Sequence, residues 1–204
     1  MTNLGQLQLD ALKEISSIGA GNASTALSQF LNKKVEMAPP GISILTAHDA
    51  PIPIPSTVPV MAMVALEAIA EVSGYIVVVF ELKNALFLID SLMGKSPGST
   101  TQQSLSEIEI SAFKEVASVM AASFLRVTGD MIGITLRMST PYFSIGTHAE
   151  IRDFIVSHSL KDTSSTLCLN SELYIIDVTK LQGFLLFIPF ADSVSILLKL
   201  LGVG

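Results

Sequence analysis

The stretch Asp10–Leu31, DALKEISSIGAGNASTALSQFL, returns 101 residues later as Ser111–Ile132, SAFKEVASVMAASFLRVTGDMI. That shift aligns Ala11 with Ala112, Lys13 with Lys114, Glu14 with Glu115, Ser17 with Ser118 and Ala20 with Ala121. It continues without a gap to Met37 with Met138 and Pro40 with Pro141, and apolar positions match in between. Such self-similarity is the mark of an internal duplication. A second match, at a shift of 108–109, pairs SGYIVVVF (Ser73–Phe80) with QGFLLFIP (Gln182–Pro189). Each of these runs is followed by a short apolar segment ending in LMG or LLG. The chain therefore divides into two repeats, about 1–94 and 104–204. The polar KSPGSTTQQ (Lys95–Gln103) is the hinge expected between them.

Each repeat reads as a long helix, a few strands and a short closing helix. From Gln6 to Leu31, Leu9, Leu12, Ile15, Ala23, Ala26, Leu27 and Phe30 fall within one third of a helical circumference. Pro39-Pro40 ends any element there. Strands are expected at Ile42–Ala47 and Met61–Ile69, and the β-branched run Val72–Phe80 suits a central buried strand. Lys83–Met93 reads as the closing helix. In the second repeat, Ser106 with Glu109 forms a capping box for a helix running to about Thr128. Strands follow near Gly133–Met138, Tyr142–Thr147, Thr166–Asp177 and Phe184–Phe190, and the helix Val194–Leu201 closes the chain. The expected fold is α/β (α+β): one domain with pseudo-twofold symmetry, its strands merged into one mainly antiparallel sheet against two long helices.

Composition narrows the function. The 204 residues are 50% hydrophobic and only 15% charged, with a mean hydropathy of +0.58. Such a chain buries enough surface to fold. No apolar run is a plausible membrane span: Ala50–Leu66 contains four prolines, Val72–Phe80 meets Glu81, and Leu181–Ala191 meets Asp192. The start, MTNLGQLQLD, lacks the basic and apolar regions of a signal peptide, so a soluble cytoplasmic protein is expected. Cys168 is the only cysteine, and His48, His148 and His158 lack ligand spacing, so neither a disulfide framework nor a metal centre is expected. A net charge of −6, a single adjacent basic pair (Lys33-Lys34) and no tryptophan argue against a nucleic-acid partner.

The chemistry-bearing feature is a helix face. Asp10, Glu14, Ser17, Gly21, Ser24 and Ser28 lie within about 80° of one another at about 100° per residue, opposite the apolar stripe. The same stations of the second helix hold Ser111, Glu115, Ser118, Ala122 and Leu125. Folding alone does not require Glu, Ser three residues later and Pro 23 residues beyond to recur in both helices.

Asp10-x-x-x-Glu14-x-x-Ser17 followed by Pro40, and Ser111-x-x-x-Glu115-x-x-Ser118 followed by Pro141, resemble the signature of the CheC/CheX/FliY phosphatase family. That signature runs Asp or Ser, three residues, Glu, two residues, Asn, then 22 residues and Pro. KEISSIGAGNASTALSQFL (Lys13–Leu31) also looks like the first helix of CheC-type proteins, and the resemblance covers essentially the whole chain. It implies a chemotaxis regulator that binds the phosphorylated CheY-type response regulator and hydrolyses its aspartyl phosphate. In this reading Asp10, Glu14, Ser111 and Glu115 bind the partner, the glutamates by pairing with a lysine of the regulator. Stations 17 and 118 orient the attacking water. The resemblance implies no cofactor of the chain's own, since Mg²⁺ is held by the regulator. It implies the receptor deamidase CheD as a further partner.

At both catalytic stations serine stands where the family has asparagine. A hydroxyl ends roughly two atoms nearer the helix axis and lacks the paired C=O and NH₂ of a carboxamide. Since a misplacement of about 1 Å can cost about a hundredfold, reduced phosphatase activity through Glu14/Ser17 and Glu115/Ser118 is expected. The alternative is a non-catalytic adaptor binding regulator, CheD or both. Asn22, about 80° round the helix from Glu14, is no substitute. Gly19-Ala20-Gly21 is read as close helix packing and not as a phosphate loop. Met61, Met63, Met93, Met120 and Met131 are read as core, and Cys168 as a buried inert thiol. Pro51, Pro53, Pro55 and Pro59 are expected to stiffen a loop.

Overall fold

A computed structural model of the chain describes residues 4–47, 52–57, 59–160, 163–176 and 180–204. Along these the chain forms α1 (Gln6–Leu31), β1 (Lys34–Met37), β2 (Gly41–Thr46), β3 (Met61–Ile69), β4 (Gly74–Glu81) and α2 (Leu82–Leu92). A 3₁₀ turn at Gln102–Ser104 leads to α3 (Glu107–Ile132), β5 (Arg137–Met138), β6 (Tyr142–Gly146), α4 (His148–Leu160), β7 (Ser165–Ile176), β8 (Lys180–Pro189) and α5 (Ala191–Leu200).

The long helices are each 26 residues and start in the same way. The Gly5 N–H donates to Gln8 Oε1 at 3.0 Å, and the Ser106 N–H donates to Glu109 Oε2 at 2.7 Å, each satisfying an amide at the helix start. They end in left-handed residues, Asn32 (φ 50°) and Gly133 (φ 73°). The helix expected to stop near Thr128 reaches Ile132. Its final turn continues as the Ile134 N–H donates to the Gly129 carbonyl, which leaves only Arg137–Met138 of the strand expected from Gly133.

All strand pairings are antiparallel, in the order β1-β7-β8-β4-β3-β5, with β2 also on β7 and β6 also on β3. The central pair is β4 with β8. Val77 lies opposite Leu186, its equivalent at a shift of 109, while Gly74 faces Pro189 and Phe80 faces Gly183. A pseudo-twofold axis runs through the Val77–Leu186 pair. The outer strands cross over: β1 and β2 of the first repeat pair with β7 of the second, and β5 and β6 pair with β3 of the first.

Both sheet faces are covered, which is why β4 is apolar and buried from Ile76 to Phe80. Val64, Leu66, Val78, Phe80, Leu185 and Phe187 pack with α1, α2, α3 and α5 on one face. Met63, Ala65, Val77, Val79, Leu186 and Ile188 pack with Ile151, Ile155, Ile52 and Ile54 on the other. This second layer rests on α4, which hydropathy does not reveal, because its buried side is only Ile151, Ile155, Ser159 and Leu160. Its sequence mark is a capping box: the Thr147 N–H and hydroxyl both donate to Glu150 Oε2, at 2.7 and 2.9 Å. β1 is also additional to the expected elements.

Two side chains differ from their expected places: Phe30 is 44% exposed and Met131 is 41% exposed, whereas Met61, Met63 and Met120 are fully buried. Met93 packs at the core's margin. The Lys95–Gln103 link is tied down where a hinge is expected. Buried Asp90 accepts the N–H groups of Gly98, Ser99 and Thr100 at 2.7–3.0 Å. Lys95 Nζ meets buried Glu109 at 2.6 Å. No described helix is long and apolar enough to cross a membrane. His48, Pro51 and Asp177 lie outside the described residues.

Candidate functional site on the long helices

α1 is held on three sides. Leu12, Ile15, Ala23 and Leu27 enter the helix-side core. Gly19 faces α3, where a Cβ would stand 2.6 Å from the Phe124 ring. The Ser24 hydroxyl donates to the Val35 carbonyl at 2.8 Å, and that of Ser28 donates to the Lys33 carbonyl at 2.5 Å. These two serines, expected on the free polar face, instead fasten β1 and the following Pro39-Pro40 alongside the helix. What remains outward is Asp10, Glu14, Ser17 and Gly21, all exposed. Asp10, Lys13, Glu14 and Ser17 line one open cleft with Pro39 and Pro40. The spacing read from sequence thus becomes a single surface, in which Pro40 lines the same cleft as Ser17.

Within the cleft, Asp10 Oδ1 accepts from Gln6 Nε2 at 2.8 Å. Among the described residues no side-chain hydrogen bond or ion pair engages Glu14, Lys13 or the Ser17 hydroxyl. The serine sits three residues above the glutamate, about 4.5 Å along the axis. Lys13 is the member that the reading of the face left out. Its mark was its identity with Lys114 in the duplication.

The α3 face is similar in layout but not in chemistry. Ser111 and Glu115 are exposed, and among the described residues no side-chain bond engages either. Ser118 is half-buried, and its hydroxyl donates to the Lys114 carbonyl at 2.8 Å. Leu125, counted on this face from its angle, is 2% exposed and belongs to the core, so the outward stripe ends at Ala122. Phe113 on the inner side meets Phe143 of β6 edge-on at 6.1 Å, setting α3 against the strand that follows Pro141.

Asn22 does not reach either face. It is half-buried where the two helices cross: its Nδ2 donates to the Ile18 carbonyl, and Ser123, its equivalent at a shift of 101, donates to the Asn22 carbonyl at 3.0 Å. Cys168 is buried, and burial pushes its thiol up to about 12, although the Ser43 hydroxyl opposite favours the thiolate. Among the described residues no group of three or more His, Cys, Asp or Glu side chains could hold a metal ion. Among the described residues no hydrogen bond joins either serine to a carboxylate or an imidazole, the link an activated nucleophile needs. The arrangement can anchor a cation through carboxylates and present a hydroxyl beside it.

A model of the CheC-like family matches residues 7–44, the span from the start of α1 to β2. Along 97% of its length the chain is 22% identical to the CheY-P phosphatase CheC of Bacillus subtilis (strain 168), covering 95% of that protein. It is 29% identical to the flagellar motor switch phosphatase FliY of the same organism over 59% of this chain and 31% of FliY. Among solved structures, FliY of Thermotoga maritima shares the fold with a TM-score of 0.73 at 21% identity, over 98% of each chain. A chain of the FliG–FliM complex from H. pylori does so at 0.63 and 15% identity, over 94% of this chain and 100% of that one.

Proposed function

We propose that this chain, matched by the CheC-like family model over residues 7–44 and similar to CheC along nearly its whole length, is a member of the CheC/FliY family whose two helix faces dock on the phosphorylated receiver domain of a CheY-type response regulator and promote hydrolysis of the aspartyl phosphate at a reduced rate. The observation that carries this reading is the gathering of Asp10, Glu14, Ser17 and Pro40 around one open cleft, with the Glu14 carboxylate unengaged by described residues. The full-length likeness to a protein named CheY-P phosphatase supports it.

In this proposal Glu14 and Glu115 pair with a lysine of the regulator, fixing each helix across the phosphorylated site. The Ser17 hydroxyl, engaged by no described residue, then hydrogen-bonds the attacking water and holds it in line with phosphorus. Water oxygen bonds to phosphorus as the bond to the aspartyl oxygen breaks, leaving free carboxylate and inorganic phosphate. The Mg²⁺ and the charge stabilisation belong to the regulator, so the helix contributes placement alone. A hydroxyl on a short arm places water less well than a carboxamide, hence the reduced rate.

The Ser118 hydroxyl favours a second role for the α3 face. Its proton is already donated within the helix, so this face retains the anchoring glutamate while contributing little to water placement, as an adaptor would. The test follows phosphate loss from a phosphorylated CheY-type regulator of the same organism, with and without the protein. The proposal expects faster decay, slowed severalfold by Ser17→Ala and changed less than about twofold by Ser118→Ala. Decay unaltered at stoichiometric protein, with binding intact, would leave the adaptor reading alone.

A further inference from the structure

Leu7 and Ile108 are the two most exposed of the large apolar side chains described, at 69% and 65%, and they are equivalents at the 101-residue shift. Single exposed apolar residues are ordinary. What sets these apart is recurrence at one station, at the second position of each long helix, while the packing needs of the helix starts are met by others. Leu4 and Leu105, ahead of the helices, lie against the helix-side core. The starting amides are satisfied through Gln8 and Glu109. Leu7 and Ile108 serve neither purpose.

Their direction is informative. At about 100° per residue, Leu7 stands about 20° from Glu14 and Ile108 about 20° from Glu115, each two turns, about 10.5 Å, below its glutamate. Each face thus presents one order from the helix start: an aliphatic side chain, Asp10 or Ser111, the glutamate, then the serine. We propose that Leu7 and Ile108 are apolar anchors of the docking faces, each seating in an apolar patch of the receiver domain about 10 Å from the lysine that pairs with the glutamate. The inference rests on the docking reading above. It adds that affinity is carried by burial at the helix start as well as by the ion pair, and that the partner carries a matching apolar patch.

The fold supplies an internal control. Phe30 and Met131 are also equivalents at the 101-residue shift and are exposed by 44% and 41%. They lie about 140° round the helix from Leu7 and Ile108 and near its far end. Inherited surface greasiness would make both pairs behave alike, whereas a docking face would single out the first.

The experiment measures binding of the full chain to the CheY-type receiver of the same organism, activated with beryllofluoride, by calorimetry. The variants are Leu7→Ser/Ile108→Ser, Leu7→Met/Ile108→Met, Phe30→Ser/Met131→Ser and Glu14→Ala/Glu115→Ala, each checked for an unchanged melting curve. Burial of one aliphatic side chain predicts a Kd about tenfold higher for the first, near wild type for the methionine pair and for the Phe30/Met131 pair. The glutamate pair should bind more weakly as well. If the glutamate pair weakens binding and the Leu7/Ile108 serine pair does not, the anchor inference fails while the docking reading stands. If wild type does not bind, or the glutamate pair binds as wild type does, both fail.

Discussion

At Gly19 the crossing of two helices depends on one missing methyl group. A Cβ there would stand 2.6 Å from the Phe124 ring, whereas at Gly21, two residues on, it would meet nothing within 4 Å. Gly19→Ala should therefore destabilise by about 1–3 kcal/mol through overpacking. Gly21→Ala should stabilise by up to about 1 kcal/mol through helix propensity. Urea midpoints at equal slope would measure both, and equal midpoints would contradict this account of the crossing. The serines call for the opposite kind of change. If docking is intact, Ser17→Asn restores a carboxamide at the mouth of the Pro40 cleft and should raise phosphate release about tenfold or more over wild type. Ser118→Asn, by exchanging a hydroxyl turned back on the helix for a longer arm, should add to it. A double variant no faster than wild type would mean that water is not placed from these stations.

Among the elements, those that bury a wide apolar stripe were legible in the sequence, and those held by polar contacts were not. α1 was readable to the residue because Leu12, Ile15, Ala23 and Leu27 repeat on one side; β3 was readable to the residue, and β4 to within two residues, because both of their faces are apolar. α4 was missed because Ile151 and Ile155 give it too narrow a stripe. β1 was missed because it depends on Ser24 and Ser28 of the helix beside it. Of the site, the spacing of Asp10, Glu14, Ser17 and Pro40 was legible. The difference between the faces was not, because it lies in which carbonyl accepts the Ser118 hydroxyl. The link between repeats is of the polar kind too. Lys95 foremost, then the Ser106 hydroxyl and N–H and the Thr100 hydroxyl, hold the Glu109 carboxyl well below the ordinary carboxylate range. A carboxyl so lowered stabilises the fold fully above its unfolded value of about 4.3, and this is lost as pH falls through the folded value. Glu109→Gln should thus lower Tm at pH 7 and flatten the fall of Tm below about pH 4.5. An unaltered acid limb of the Tm profile would show that the network contributes nothing in solution.

At the scale of the molecule, duplication has produced two repeats that cannot complete their sheets alone. Among the described residues, β7 finds partners for its outer edge only in β1 and β2 of the other repeat, and β3 only in β5 and β6. Separating 1–94 from 104–204 would strip both sheets of their outer strands and break the β4–β8 seam, exposing Val77, Leu186 and the crossing of α1 with α3. Neither piece should fold alone, and mixing them should restore the fold, because the crossing strands need no covalent link to pair. Cys168 reports the outcome directly. It lies in β7 opposite Ser43 of the first repeat, fully buried, with a thiol raised to about 12 by that burial. In the isolated second piece the thiol should relax toward its ordinary value of about 8.5 and react readily with a disulfide reagent at pH 8. Addition of the first piece should suppress the reaction in step with recovered circular dichroism. A chain nicked at the exposed Ser96–Pro97 bond should stay protected, since Glu109 still holds Lys95 and Asp90 still holds Gly98–Thr100 across the cut. A second piece whose thiol is already protected on its own would show that each repeat folds independently, and would remove the crossing strands as the reason the two behave as one.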